Sequence, residues 1–305
     1  MELIYDLNEK RASECVIALG FFDGVHLGHR ELLEKARLCA GKSKIPFGIF
    51  TFKSSDGIKR GAKRIYSDST KASIFSSLGA DFTVFADFPE LSGLTAEQFV
   101  RDILVGKLNA RVAVAGYNYR FGKGAEGDAK SLEKLMQANG KEALICDEFR
   151  LGGQIVSSTV IRDALDTGDI ALANRLLGAP YNIFGKVTRG RGEGKRLGFP
   201  TINTHPSSDL LIPRRGVYHT AVRVGDKLCP ALTNVGTCPT FEERESHLET
   251  YLLNFSGNLY DEDVSIYFID YLRDEIAFPS EKELIMQINV DKIKVLNKSI
   301  DNLEI

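Results

Sequence analysis

The sequence predicts two successive folds, an α/β layer built on a parallel sheet and then a small antiparallel β-barrel with a terminal helix. Three observations carry this. Strand signals at 16–19, 47–52, 82–85 and 111–115 alternate with helix-like stretches at 69–78 and 96–104, the order that builds a parallel sheet with helices on its faces. Beyond Leu177, Gly178, Ala179 and Pro180, strand-like runs dominate at 183–187, 217–224, 231–235, 248–255 and 264–271, with turn residues between them, the pattern of a barrel. At 305 residues the chain has material for about two cores, so the expected domains are 1–180 and 181–305.

Composition narrows the class. Hydrophobic residues at 43% and charged residues at 26% are ordinary for a globular chain. A net charge of −2 and a pI near 6.3 give no support for general nucleic-acid or membrane-surface binding. Five cysteines without a C-x-x-C pair predict neither a disulfide framework nor a zinc ribbon, and reduced thiols in the cytoplasm are expected. The start, MELIYDLNEK, lacks a basic head and apolar core, and no apolar run is long enough to span a bilayer. Export is not expected.

The first element in order is VIALGFFDGVHLGHRELL, 16–33. Four apolar residues make a buried strand, Gly20 and Gly24 mark a turn, and Leu27, Leu32, Leu33 and Ala36 set a helix. His26 and His29, three apart at that helix start, share one face. Unpaired backbone N–H groups and the positive end of the helix dipole are there too, so the stretch suits a phosphate. The bland alternative, a zinc pair, lacks a third ligand nearby in sequence. His-x-Gly-His after a strand and a glycine turn is also similar to the signature of nucleotidylyltransferases, which transfer an adenylyl group from ATP. Class I aminoacyl-tRNA synthetases use such a motif as well.

The strand at 111–115 leads into GYNYRFGKGAEGD, read as a flexible loop offering Asn118, Arg120 and aromatic rings such as Phe121 to a planar ligand. Its G-x-G-x-x-G stands too far from the strand for a dinucleotide fingerprint. Ser157, Ser158 and Thr159 then precede Arg162 at the entry to a helix over 163–165. Hydroxyls and a guanidinium there suit phosphate oxygens, although Ser-Ser-Thr before a helix is most often an N-cap. Paired with His-x-Gly-His, it resembles the second phosphate clamp of nucleotidylyltransferases, and the rest of the chain shows no anticodon-binding module.

In the second half, GKVTRGRGEGKRLGFPTIN gathers Lys186, Arg189, Arg191, Lys195 and Arg196 around glycines that allow close approach to phosphate, Gly194 among them. It is not a Walker A sequence. Thr201 and Asn203 then place a hydroxyl and an amide oxygen on one side of an extended segment, a way to hold Mg2+. Glu249 is the candidate base: as a strand residue it shares a face with Tyr251, Leu253 and Phe255, which points its carboxylate toward an apolar interior. A last helix is expected over 281–288.

From about Leu19 to Ile288 the chain resembles the prokaryotic bifunctional riboflavin kinase/FMN adenylyltransferase (FAD synthetase) family. The likeness rests on GFFDGVHLGH, GYNYRFGKGAEGD and SSTVIR in the first half. In the second it rests on GKVTRGRGEGKRLGFPTIN, RRGVY, TNVGTCPTF, LETYLLNF and FIDYLRDEIAF. It implies a Rossmann-like nucleotidylyltransferase domain followed by a riboflavin kinase-like barrel, with ATP, riboflavin, FMN and FAD as substrates or products and Mg2+ as cofactor. His26, His29 and Arg162 would serve adenylyl transfer, with Gly20, Phe22, Asp23, Gly24, Asn118, Ser158 and Thr159 around the nucleotide. Gly194, Thr201 and Asn203 would serve the second ATP and its Mg2+, Glu249 would be the kinase base, and Phe121, Arg273 and Glu275 would lie by the flavin. One departure stands out. The family usually continues Thr-Phe-x-Pro-His-Pro, whereas Thr51 and Phe52 are followed here by Lys53, Ser54, Ser55 and Asp56. Two other functions therefore stay open, a kinase with an impaired adenylyltransferase domain and a non-catalytic flavin-binding regulator.

Overall fold

The computed structural model describes residues 1–7, 10–53, 63–190, 192–237, 246–300 and 303. Ser54, Ser55, Asp56, Arg191 and the stretch 238–241 within the sequence motifs lie outside the described residues. The chain forms two compact units, Met1–Ser157 and Ser158–Ile305.

The first unit is a six-stranded, wholly parallel sheet in the order β1-β4-β3-β2-β5-β6. Its strands are β1 (Glu2–Ile4), β2 (Cys15–Leu19), β3 (Phe47–Phe52), β4 (Phe82–Ala86), β5 (Ala110–Gly116) and β6 (Glu142–Cys146). Every residue of β2 is buried, which is why CVIAL is apolar throughout: a central parallel strand is covered on both faces. Helices α1 (Leu27–Ser43), α2 (Asp68–Ser77), α3 (Phe88–Leu91), α4 (Ala96–Gln98) and α5 (Ala129–Ala138) connect the strands. The helix expected over 96–104 is α4 running into π-helical turns at Phe99–Lys107. The chain lays β2, β3 and β4 outward in one direction, then returns to add β5 and β6 on the other side of β2. That reversal opens a crevice beyond the carboxyl ends of β2 and β5, where open α/β sheets bind ligands. A hairpin of β7 (Arg150–Leu151) and β8 (Gln154–Ile155) ends the unit.

The second unit begins with α6 (Ser158–Thr167) and α7 (Ile170–Leu177), ahead of residue 180. Both are tied to the barrel side of the chain: Arg214 N donates to Leu165 O at 2.9 Å, and Asn174 Nδ2 donates to Phe268 O at 2.8 Å. The barrel consists of β9 (Tyr181–Thr188), β10 (Thr201–Thr204), β11 (Gly216–Val224), β12 (Lys227–Thr237), β13 (Ser246–Leu252) and β14 (Asp263–Arg273), closed in the order β10-β13-β12-β11-β14-β9. Thr220, Thr233 and Thr250, all fully buried, link their hydroxyls at 2.8 and 2.9 Å, so these core polar groups are satisfied. The short α8 (Glu193–Arg196) precedes β10, and α9 (Glu281–Leu296) comes after β14, eight residues longer than the 281–288 expected.

Candidate active sites

In the first unit the turn between β2 and α1 is held under backbone strain. Phe22, Gly24 and Val25 have φ of 51°, 83° and 39°, and positive φ in a bulky Phe and a β-branched Val persists only where surroundings enforce it. Phe22 is buried edge-on against His29 and Phe75, and a Cβ on Gly20 would stand 2.8 Å from its ring. Asp23, also buried, accepts from Ile65 N at 2.9 Å. His26 caps α1: its Nδ1 accepts from His29 N at 3.3 Å, which leaves the ring proton on Nε2. The two imidazoles stack at 3.6 Å and 14°. Burial holds the His26 pKa down to about 4; burial, then His26 and Lys71, keeps His29 well below the usual histidine value. The pair is therefore a neutral hydrogen-bonding seat at a helix start.

Lys71, 1% exposed, is a buried cation near His29 that the sequence reading did not single out. Its ammonium donates to Phe52 O at 3.3 Å, lies 3.3 Å from Asp68 and sits between the rings of Phe21 and Phe85, and burial lowers its pKa. Asn118 comes just after β5, exposed at the crevice, its Oδ1 placed 3.3 Å from where a Gly116 Cβ would be. The loop around it is not loose, because Phe121 and Gly127 exchange backbone hydrogen bonds at 3.2 and 2.9 Å. Phe121 is 6% exposed, stacked on Tyr119 and beside Phe99 in the core. Ser158 and Thr159 open α6, which starts five residues before the expected 163–165, and Arg162 is half-buried one turn on; all three belong to the second unit.

The second unit contains a cavity of about 840 Å³ into which Gly194, Thr201, Asn203, Glu249, Arg273 and Glu275 all face. Thr201 and Asn203 lie on β10 opposite Tyr251 and Glu249 of β13, and Thr201 Oγ1 donates to Glu249 Oε1 at 2.7 Å. The glycine loop lies on these two residues. A Cβ on Gly190 would stand 2.2 Å from Asn203 Nδ2, and one on Gly194 would stand 3.1 Å from Thr201 Oγ1 and 2.5 Å from Phe199 O. Side-chain-free backbone is thus what forms this cradle. Glu249 needs a correction of orientation. Leu248, Thr250 and Leu252 are the fully buried positions of β13, while Glu249 and Tyr251 are half-buried and face the cavity that Leu284 and Ile288 of α9 also line. A six-stranded barrel has no room inside for a helix, so this is its outer wall. Leu253 and Phe255 lie beyond β13, past which Asn254 at φ 57° turns the chain.

Arg273 Nε donates at 2.8 Å to Asp291 Oδ2, which is 1% exposed and also takes Gln287 Nε2 at 2.9 Å through its other oxygen. The guanidinium is therefore fixed against α9, with Phe278 beside it. Asp291 was open to detection: it occupies the same helix face as Leu284, Ile288 and Val295, where an acid is out of place unless paired. Asn234, between Leu232 and the cavity wall, donates to Glu275 Oε1 at 3.0 Å. Arg196 differs from expectation, since its exposed guanidinium makes a two-pronged pair with Glu281 at 3.2 and 2.5 Å.

Two neutral imidazoles at a helix start in one unit and a glycine-cradled, carboxylate-bearing cavity in the other are chemistry suited to phosphate groups. Family models agree: one described as FAD synthetase matches residues 8–160 and one described as riboflavin kinase matches 177–298. The chain belongs to the bifunctional riboflavin kinase/FMN adenylyltransferase family. A member so named from Listeria monocytogenes is 34% identical over 285 residues, spanning 91% of this chain and 90% of its own. One from Escherichia coli strain K12 is 33% identical over 296 residues, spanning 95% and 94%. A crystal structure described as a macrolide-efflux protein from Streptococcus pneumoniae superposes with a TM-score of 0.87 at 28% identity, over 97% of this chain and 99% of that one. No helix among the described residues is long and apolar enough to cross a membrane.

Proposed function

We propose that the chain makes FMN from riboflavin in the barrel unit and FAD from FMN at the stacked histidines. The observation that carries the kinase half is the 2.7 Å contact from Thr201 to Glu249 beneath the glycine cradle. Glu249 accepts the proton of the terminal ribityl hydroxyl as that oxygen attacks the γ-phosphorus of ATP, and ADP leaves. Thr201 and Asn203 orient the phosphates. Their hydroxyl and amide oxygens, with the Glu249 carboxylate close by, are hard donors that fit Mg2+, and the ion when bound neutralises phosphate charge. Arg273, held by Asp291, stands on the flavin side of the same cavity.

In the adenylyl step a phosphate oxygen of FMN attacks the α-phosphorus of a second ATP, and pyrophosphate departs. His26 and His29, neutral and seated at a helix start, donate to phosphate oxygens as charge builds. Gly20, Phe22, Asp23 and Gly24 shape the turn, and Asn118 sits at the crevice for the nucleotide. Alignment and charge stabilisation suffice for both steps, with no covalent enzyme intermediate. An ATP-dependent enzyme with four free cysteines among its described residues fits a cytoplasmic setting.

Chromatography of flavins after incubation with riboflavin, Mg2+ and ATP tests both steps. FMN then FAD is expected; His29→Ala should let FMN accumulate without FAD, and Glu249→Gln should stop FMN formation while supplied FMN still becomes FAD. Loss of FMN as well as FAD in His29→Ala, or failure of Glu249→Gln to convert supplied FMN to FAD, refutes the two-site assignment. The altered sequence at 53–56 favours a second reading, a kinase with impaired adenylyl transfer, for which FMN and ATP would yield no FAD.

A further inference from the structure

His205 and His247 are the reactive side chains of the barrel cavity that the transfer steps leave unused. On the wall formed by β10 and β13, Thr201 faces Tyr251 and Asn203 faces Glu249. Just past the end of β10, the ring of His205 meets that of His247 on β13, with centroids 5.0 Å apart and planes tilted by 36°. Both line the cavity that contains Glu249. His205 is exposed, and His247 is half-buried with a buried Nδ1 that has no hydrogen-bond partner among the described residues.

The separation suits two ligands of one ion. A metal–nitrogen bond of about 2.0–2.1 Å, plus about 1.1 Å from nitrogen to ring centre, puts each centroid about 3.2 Å from the metal, and a tetrahedral angle then sets the centroids about 5 Å apart. The stacked pair at 3.6 Å, His26 and His29, is too close for that geometry. Imidazole selects borderline ions over Mg2+, which prefers oxygen, so abundant Mg2+ does not compete. No group of three or more His, Cys, Asp or Glu among the described residues could hold a metal. The remaining positions would go to water or phosphate oxygens.

We propose that His205 and His247 form a two-histidine site for a transition-metal dication of the Zn2+ and Ni2+ class at the rim of the barrel cavity, and that its occupancy slows riboflavin phosphorylation. A dication one step along the wall from Glu249 draws phosphate oxygens away from the attacking hydroxyl. The inhibitory half rests on the kinase function proposed above; the binding half does not.

The test is calorimetric titration of the full chain with NiCl2 in excess Mg2+, beside His205→Gln, His247→Gln and the double variant. The wild type should show one site that the double variant lacks, and each single variant should weaken it by about tenfold or more. Equal titration curves for all four proteins overturn the site. In parallel, Ni2+ should depress FMN formation in the wild type and not in the double variant, while FMN conversion to FAD in the same tube controls for folding and for Ni2+ acting on ATP. Binding without a kinase effect overturns the inhibitory half. A chain that makes no FMN even without Ni2+ refutes the kinase function, and the titration still decides the site.

Discussion

Acidification should act on the first unit through its stacked imidazoles. The native structure keeps His26 neutral: its Nδ1 is the acceptor that caps α1, its ring lies 3.6 Å from His29, and burial lowers its pKa from 6.5 to about 4. The unfolded chain takes up the proton first as pH falls, so this contribution is whole above pH 6.5 and is lost as pH drops through that value toward about 4. At about 1.4 kcal/mol per unit, the full loss is about 3 kcal/mol from His26 alone, and His29 shifts in the same direction. Denaturant unfolding followed from pH 7.5 to pH 4.5, with His26→Asn as the comparison, measures it. Asn keeps a capping acceptor but has no proton to bind, so its stability should fall less over that range. Histidine titration by NMR gives the second readout, with the two Cε1–H signals of the pair expected to shift well below pH 6.5. Ordinary titration of both rings, or identical pH dependence in the variant, refutes the reasoning.

Three further outcomes are expected. Asp291→Ala leaves the Arg273 guanidinium without its buried partner and should cost about 3–5 kcal/mol, read as a lower thermal midpoint together with a raised riboflavin KM. Gly190→Ala puts a methyl 2.2 Å from Asn203 Nδ2, so loop or amide must move; a shift of about 1 Å at such a site costs about 100-fold, seen in kinase kcat with FMN adenylylation unchanged. His219 is fully buried with neither ring nitrogen partnered among the described residues, and burial lowers its pKa to about 4, so His219→Leu should stabilise the chain by about 1–3 kcal/mol and flatten its acid limb in chemical denaturation.

The turn at His26 and His29 was legible because its signals are local: an apolar strand, two glycines and a helix period within one stretch. The parallel sheet was legible for the same reason, as β2 through β5 each carry an apolar run. β6 escaped notice because alternate residues, Glu142 and Leu144, are exposed at the sheet edge, and β10 was read as an extended segment and not as a barrel strand because TINT is short and polar. Glu249 shows the limit of periodicity. The period of two rightly joined it to Tyr251, but both faces of β13 are covered, one by the barrel interior and the other by the cavity wall and α9. Pattern alone could not say which face was which. The acid at Asp291 was out of place on its helix face, but its pairing with Arg273 of β14 was not written locally, nor was the contact of Phe121 with Phe99 of the π-helical turns.

Barrel closure joins β9 to β14, and α9 then supplies Leu284, Ile288 and Asp291 to the cavity. During synthesis the histidine turn and all six strands of the first sheet emerge before most of the barrel has been translated. A nascent chain can therefore fold its first sheet while the cavity of the second unit still lacks a wall. Ribosome-stalled chains ending before α9 should accordingly protect the first sheet from protease and leave the barrel open to cleavage.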